Sequence, residues 1–119
     1  MIEEALRPLT ALERGYIERL LTADFPGRDG VAHQVTSALA RRIDDQGSVE
    51  LVAQNDTRAS VLKRVPVEGE SVDSDGVPIC FLLHVVDARV RELEIYKADG
   101  SPIIRMPSPD QVEVVVMPV

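Results

Sequence analysis

The sequence predicts an α+β fold in which two N-terminal helices pack on one face of an antiparallel β-meander. Near the start of the chain, apolar residues recur every three or four positions, as they do along one side of a helix. From about residue 65 they alternate with polar residues, as in strands that bury one face. Because 119 residues with 45% hydrophobic side chains are typical of one globular domain, we expect a single domain over 1–119.

The first helix is predicted over about residues 10–22. Thr10 and Glu13 have the T-x-x-E spacing of a capping box, in which each side chain binds the backbone N–H of the other residue. Gly15 costs about 1 kcal/mol relative to Ala in a helix, so it marks either a close backbone approach or a tolerated weakness. The apolar stripe of this helix contains Leu9, Leu12, Tyr16, Ile17, Leu20 and Leu21.

A second helix is predicted from Asp29, which would act as its N-cap. Residues 39–53 leave two alternatives open. They could extend this helix, or residues 39–43 could pair as a hairpin with residues 49–53 through the turn sequence between them. The sequence favours a helix to about residue 38, followed by the hairpin.

Three turns set the register of the second half of the chain. A three-residue loop at 74–76, a three-residue loop at 87–89 and a two-residue turn at 99–100 each close a hairpin. They set Val65 opposite Val85, Phe81 opposite Ile95, and Leu93 opposite both Leu83 and Met106. These lengths agree on one apolar face, because a slip of one residue would bury glutamates. We expect this face to pack against the first helix, with the members Val65, Val67, Ile79, Phe81, Leu83, Val85, Leu93, Ile95, Ile104 and Met106.

The opposite face of the meander is mixed and acidic, and it is the predicted interaction surface. Residues 65–119 contain ten acidic and four basic side chains, which accounts for most of the net charge of −7. A final apolar run at 112–117 predicts one more strand. The candidate interaction face consists of Glu68, Glu70, Leu82, His84, Val86, Val90, Glu92, Glu94, Tyr96 and Ile103.

Few residues on this chain are typical of catalysis or metal binding. His84 is predicted to lie opposite Glu92, a pair that could exchange protons, but no nucleophile or oxyanion-binding group can be placed beside it. Residues 73–76 resemble part of a calcium loop, yet Leu82 stands where the bidentate glutamate belongs. We therefore expect a cross-strand contact and a hairpin turn, with no catalytic residue, metal ligand or cofactor.

Charge and cysteine content limit the compartment and the partners. The net negative charge repels nucleic-acid phosphates and anionic membrane surfaces, so neither partner is expected. Cys80 is the only cysteine, which is typical of a reducing compartment. Residues 1–8 lack a signal-like apolar region, and the apolar run at 77–86 is too short for a membrane span. We expect a cytoplasmic protein.

Five short segments resemble a family of small uncharacterised bacterial proteins, over about residues 9–109. The resemblance implies a cytoplasmic single domain and brings no known activity or site residue. A second similarity, confined to residues 86–99, is to the last strands of nuclear-transport-factor-like α+β cones, which often enclose a ligand pocket. The five segments are Asp24-Phe25-Pro26-Gly27-Arg28-Asp29, Val65-Pro66-Val67-Glu68-Gly69-Glu70, Asp75-Gly76-Val77-Pro78-Ile79, Leu93-Glu94-Ile95-Tyr96 and Asp99-Gly100-Ser101-Pro102.

These observations favour a protein that is not an enzyme. The first hypothesis is a noncatalytic protein–protein interaction module, whose mixed face binds either a second copy of the chain or a basic partner, as an immunity or inhibitor protein does. The alternative is a small-molecule-binding or enzymatic α+β cone with His84 in its pocket.

Overall fold

The computed structural model describes residues 4–116 and has an α+β fold. Two helices and seven strands form it, and all strand pairs are antiparallel. The strands make one sheet in the order β1-β2-β3-β6-β5-β4-β7. The elements are β1 (Arg7–Pro8), α1 (Ala11–Leu20), α2 (Arg28–Thr36), β2 (Leu39–Arg42), β3 (Val49–Val52), β4 (Val67–Val72), β5 (Pro78–Val86), β6 (Arg89–Lys97), a 3-10 turn (Pro109–Gln111) and β7 (Glu113–Val116).

The helices cover one face of the sheet and form a single core with it. The rings of Tyr16 on α1 and Phe81 on β5 lie 4.7 Å apart between centroids. Val31 and Val35 of α2 belong to the same buried cluster as Leu93 of β6. The molecule measures 41 × 38 × 21 Å, and its short dimension is that of a two-layer arrangement.

Helix α1 confirms the predicted capping box. The Thr10 hydroxyl accepts the Glu13 N–H at 3.1 Å, and the Glu13 carboxylate accepts the Thr10 N–H at 2.9 Å. A Cβ atom on Gly15 would lie 2.7 Å from Cγ of Pro109, so this glycine allows a close approach. Leu12, predicted on the apolar stripe, is 41% exposed.

Helix α2 begins one residue before the predicted N-cap, and the assignment of Asp29 as the cap was wrong. Gly27 is the N-cap, with a φ of 89°, and no side chain caps the helix. A side chain at Gly27 would also collide with the backbone of Ser60 and Val61. Glycine therefore suits this position for two reasons, because it adopts a positive φ readily and has no Cβ. Asp29 instead pairs with Arg28 at 3.1 Å.

The hairpin alternative for residues 39–53 is confirmed. Strand β2 pairs with β3, with Ala40 opposite Leu51. In the connecting turn, the Asp44 carboxylate accepts the N–H groups of Gln46 and Ser48 at 2.8 and 3.2 Å. These bonds satisfy donors that the turn would otherwise leave free.

The hairpin between β5 and β6 has the predicted register but a different turn. The loop has two residues, Asp87 and Ala88, with φ values of 53° and 63°, and not the three predicted. A bulge follows, because His84 pairs with Glu92 while Val85 pairs with Val90. The extra residue restores the alternation, so the predicted pairs Phe81–Ile95 and Leu83–Leu93 are confirmed.

The predicted strand after the 99–100 turn was wrong. Residues 103–106 form no strand, and Ile104 is 65% exposed. Side chains take up the backbone donors of this segment, since Asp73 accepts the N–H groups of Ile104 and Arg105, and Gln46 accepts that of Ile103.

Strand β3 occupies the position beside β6 instead. It places Val49 opposite Leu93, where the sequence predicts Met106. Val65, predicted opposite Val85, lies before the start of β4, and the Val85 N–H is bonded to the carbonyl of Arg64 at 2.7 Å.

Strand β7 confirms the predicted C-terminal strand and pairs with β4 at the edge of the sheet. The predicted end of that strand, Met117, lies outside the described residues. Among residues 4–116, no helix has the length and apolar character needed to cross a membrane.

Candidate functional site

The candidate site is the face of the sheet that points away from the helices, here called the open face. Strand alternation places on it eight residues of the predicted interaction face, together with Glu50 and Cys80, which were not included in the prediction. Each of these side chains is exposed or half-buried. The open face is defined by Glu50, Glu68, Glu70, Cys80, Leu82, His84, Val86, Glu92, Glu94 and Tyr96.

Val90 and Ile103 were wrongly placed on this face. Val90 is 2% exposed, because the bulge turns it to the helix side, where its N–H donates to Oε1 of Gln34 at 2.6 Å. Ile103 lies in the loop that replaces the predicted strand and packs against the core. Both residues support the fold and neither is available at the open face.

Glutamates come to the open face from three strands. Glu50 of β3 lies opposite Glu92 of β6, and Glu94 follows two residues later on the same side. Arg41 forms an ion pair with Glu50 at 2.7 Å. Within residues 4–116, the Glu92 carboxylate has no hydrogen-bond or ion-pair partner. Negative charge on this face is therefore only partly compensated.

His84 lies near the centre of the open face and contacts two charged residues. Its Nε2 is 2.8 Å from Oε1 of Glu94, and Nε of Arg64 donates to its Nδ1 at 3.0 Å. The predicted register opposite Glu92 is confirmed, but the hydrogen bond goes to the diagonal neighbour Glu94.

His84, Glu92 and Glu94 form a compact cluster. One ligand atom from each residue lies within 4.8 Å of the others, and all three side chains are half-buried. Such a cluster can hold a proton between histidine and carboxylate, and it contains atom types that bind metal ions. From the sequence, the proton-exchanging pair was assigned to His84 and its direct cross-strand partner Glu92. The alternation of Glu92 and Glu94 on one strand was the signal that both carboxylates share this face.

Cys80 lies opposite Tyr96 on the open face. Burial raises the pKa of the Cys80 thiol despite a hydrogen bond with Tyr96, and the carboxylates of Glu68 and Glu70 raise it further. These effects disfavour the reactive thiolate. This environment is that of an inert, packed thiol.

The segment 73–76 forms the predicted hairpin turn and holds a buried lysine. The Lys97 ammonium lies 3.0 Å from Asp73 and 2.6 Å from Asp75, and it is on the helix side of the sheet. Burial opposes ionisation of Asp73, but hydrogen bonds from Ile104 N–H, Lys97 and further backbone groups hold its pKa low. Lysine thus supplies the cation that these carboxylates attract. Alternation from Leu93 and Ile95 places Lys97 on the helix side, but a charged side chain at the end of the strand gave no sign that this position is buried.

Three grooves formed by described residues have linings that do not include His84. One of about 430 Å³ lies between residues 59–64 and the β5–β6 turn. A second, of about 340 Å³, lies between β4 and β7. A third, of about 250 Å³, lies beside Tyr16 and Met106.

The chain matches a protein-family model over most of its length. A family model described as "Domain of unknown function (DUF6984)" matches residues 6–107. No match was found among curated proteins or among solved structures. The matched region spans β1 to β6 and includes the whole histidine–carboxylate cluster. The chain therefore belongs to this family, the domain of unknown function DUF6984.

Proposed function

We propose that the chain is a noncatalytic interaction module whose open face binds a basic partner protein. The observation that carries this proposal is the excess of negative charge on the open face, where Glu50, Glu92 and Glu94 lie on neighbouring positions of two paired strands. Only Glu50 among these three has a described arginine partner. A complementary basic surface would relieve the repulsion among these carboxylates and accelerate association.

Apolar side chains between the glutamates supply contact area for such a partner. Leu82 and Val86 are half-buried on β5, and Tyr96 on β6 is 41% exposed. Aromatic and aliphatic groups surrounded by charged residues are typical of the centre of a protein interface. The strands beneath them form a rigid platform, so little ordering entropy is lost on binding.

The open face favours a basic partner over a second copy of the chain. In a two-fold dimer, each copy presents the same patch to the other. Pairing of two open faces would bring glutamates against glutamates, at an electrostatic cost. We extend the proposal to a bacterial cytoplasm, which the family resemblance and the free Cys80 support. The alternative of a pocket around His84 is less well supported, because none of the three grooves described above is lined by this residue.

The proposal is tested with two charge-reversal variants of equal net change. The face variant replaces Glu68 and Glu92 with lysine, and the helix-side variant replaces the exposed residues Glu18 and Asp24 with lysine. Proteins retained from a bacterial extract by the wild type are identified, and the affinity of each purified candidate is measured by titration calorimetry at low and high salt. We expect a basic protein that binds wild type and helix-side variant alike, loses affinity for the face variant and binds more weakly in salt.

Two outcomes would contradict the proposal. One is a partner that binds the face variant as tightly as the wild type, because the open face would then be unused. The other is a dimer, seen by light scattering, that the face variant dissociates, because the open face would then belong to a second copy.

A further inference from the structure

We propose that His84, Glu92 and Glu94 form a binding site for a divalent transition-metal ion, with Zn²⁺ as the representative ion. The cluster offers one imidazole nitrogen and two carboxylate oxygens within 4.8 Å of one another. Zinc binds these donor types, and three protein ligands with one open position are typical of zinc sites that also hold water. This inference concerns the isolated chain; because a metal ion here would compensate Glu92 and Glu94 in place of a basic partner, the two proposals are tested separately.

The sheet positions the three side chains on one side of two paired strands. Glu92 and Glu94 are two residues apart on β6, so both point to the open face. His84 lies opposite Glu92 on β5 and contacts Glu94 diagonally. Because both strands are interior to the seven-stranded sheet, the backbone beneath the cluster is held on both sides.

Small side-chain movements suffice to bring the donors to metal-binding distances. Zinc–nitrogen and zinc–oxygen bonds of about 2.1 Å in a tetrahedron place ligand atoms about 3.4 Å apart. His84 Nε2 and Glu94 Oε1 are 2.8 Å apart, and every ligand-atom pair in the cluster lies within 4.8 Å. Glu92 breaks no hydrogen bond or ion pair within residues 4–116 when it turns inward.

Charge also favours a cation at this point. Glu92 is half-buried, lies opposite Glu50 and has no cationic partner in the described chain. A divalent ion would compensate the charges of Glu92 and Glu94 together. The imidazole selects against Ca²⁺ and Mg²⁺, which prefer sites built from oxygen alone.

Arg64 competes with the metal ion for His84. Since Arg64 donates to Nδ1, the ring proton lies on Nε2, which donates it to Glu94. Metal binding at Nε2 moves that proton to Nδ1, so the ring becomes a donor on the Arg64 side and the arginine must turn away. Arg64 is exposed, and its departure also removes a positive charge from the site.

The experiment is a calorimetric titration of chelator-treated full-length chain with Zn²⁺, and separately with Mg²⁺. We expect one Zn²⁺ per chain and weaker or no Mg²⁺ binding. Glu92→Gln and His84→Gln each remove a ligand and should weaken Zn²⁺ binding by at least about 10-fold. Mutation of residues that only hydrogen-bond to a metal ligand already costs about 10-fold or more, and loss of the ligand itself should cost no less. Arg64→Gln should tighten it several-fold.

Two controls keep the result specific to the cluster. Glu70→Gln removes a carboxylate from the same face outside the cluster, and Cys80→Ser removes the thiol; both should bind Zn²⁺ as the wild type does. Thermal melting of each variant confirms that it is folded. Absence of saturable Zn²⁺ binding, or equal affinity in Glu92→Gln and wild type, would overturn the inference. Neither result bears on a basic partner, because no partner is present.

Discussion

Gln34 provides a sharp test of how the helices support the sheet. Its side chain is fully buried, and its Nε2 donates to the carbonyls of Thr57 and Ala88 at 3.0 and 2.8 Å. Its Oε1 accepts the N–H of Val90 at 2.6 Å. This one residue of α2 thus ties a loop and the β5–β6 turn to the helix layer, next to the bulge that sets the positions of His84 and Glu92.

The cost of replacing Gln34 with methionine follows from what else those groups contact. The Thr57 carbonyl also accepts from Arg89 at 2.7 Å, and the Ala88 carbonyl accepts from the Ala59 N–H at 2.9 Å. Both keep a partner in Gln34→Met. The Val90 N–H loses the acceptor that Gln34 provides, and an unsatisfied buried group costs about 1–3 kcal/mol. We therefore expect a loss of about 1–3 kcal/mol in the free energy of unfolding, and not three times that amount.

Gln34→Glu adds a dependence on pH with a defined sign. A carboxylate keeps the acceptor for Val90 but faces the carbonyl oxygens of Thr57 and Ala88, so the folded state favours the protonated acid. Its pKa would be raised above the ordinary glutamate value of about 4.3. The variant should then approach wild-type stability below that value and lose stability as the pH rises through the folded-state pKa.

Urea unfolding at pH 4 and pH 8 measures both effects. Gln54→Met is the matched control, because Gln54 is exposed and its replacement should change stability by less than about 0.5 kcal/mol. The reasoning would be refuted if Gln34→Met matched this control, or if Gln34→Glu and wild type had the same pH dependence.

Three further predictions concern stability. Gly15→Ala should lower the melting temperature in calorimetry, because the new Cβ would lie 2.7 Å from Cγ of Pro109 and overpacking costs about 1–3 kcal/mol. This cost is set against the preference of about 1 kcal/mol that alanine has over glycine in a helix. A rise in melting temperature would contradict the prediction. Thr10→Ala should cost about 1 kcal/mol in urea unfolding through loss of the N-cap, and an unchanged midpoint would argue against the capping box. Because the pKa of Asp73 is lowered in the fold, its ionised form stabilises the protein above the ordinary aspartate pKa of about 3.9, and this contribution is lost as the pH falls below that value. Asp73→Asn should therefore flatten the acid side of the plot of unfolding free energy against pH. An unchanged plot would count against this role.

Local patterns in the sequence were sufficient for α1 and for the two sides of β4, β5 and β6. The T-x-x-E capping box acts between residues three positions apart, so no distant contact is needed to identify it. The faces of the strands were predictable because a one-residue slip would bury charged side chains. The predicted β5–β6 register was correct although the predicted loop length was wrong. A two-residue turn followed by one bulged residue shifts the strand by the same number of residues as a three-residue loop, so the same side chains face the core.

Distant contacts decided the neighbours of β6 and the composition of the candidate site. Residues 101–106 alternate well enough to predict a strand, but Asp73 and Gln46, far away in the chain, bind their N–H groups. Strand β3 then pairs with β6 and brings Glu50 to the open face. The hydrogen bond from His84 to Glu94 depends on side-chain direction across the strands, which residue spacing does not specify.

The sequence by itself determined the fold class, the first helix and the separation of an apolar from an acidic sheet face, because alternation and capping act over a few residues. Only the tertiary structure decided that β3 lies beside β6, that Val90 is buried and that His84 bonds to Glu94. The first outcome follows from competition between distant segments for the edge of β6, the second from a bulge and the third from side-chain direction, and none of these leaves a periodic pattern in the chain.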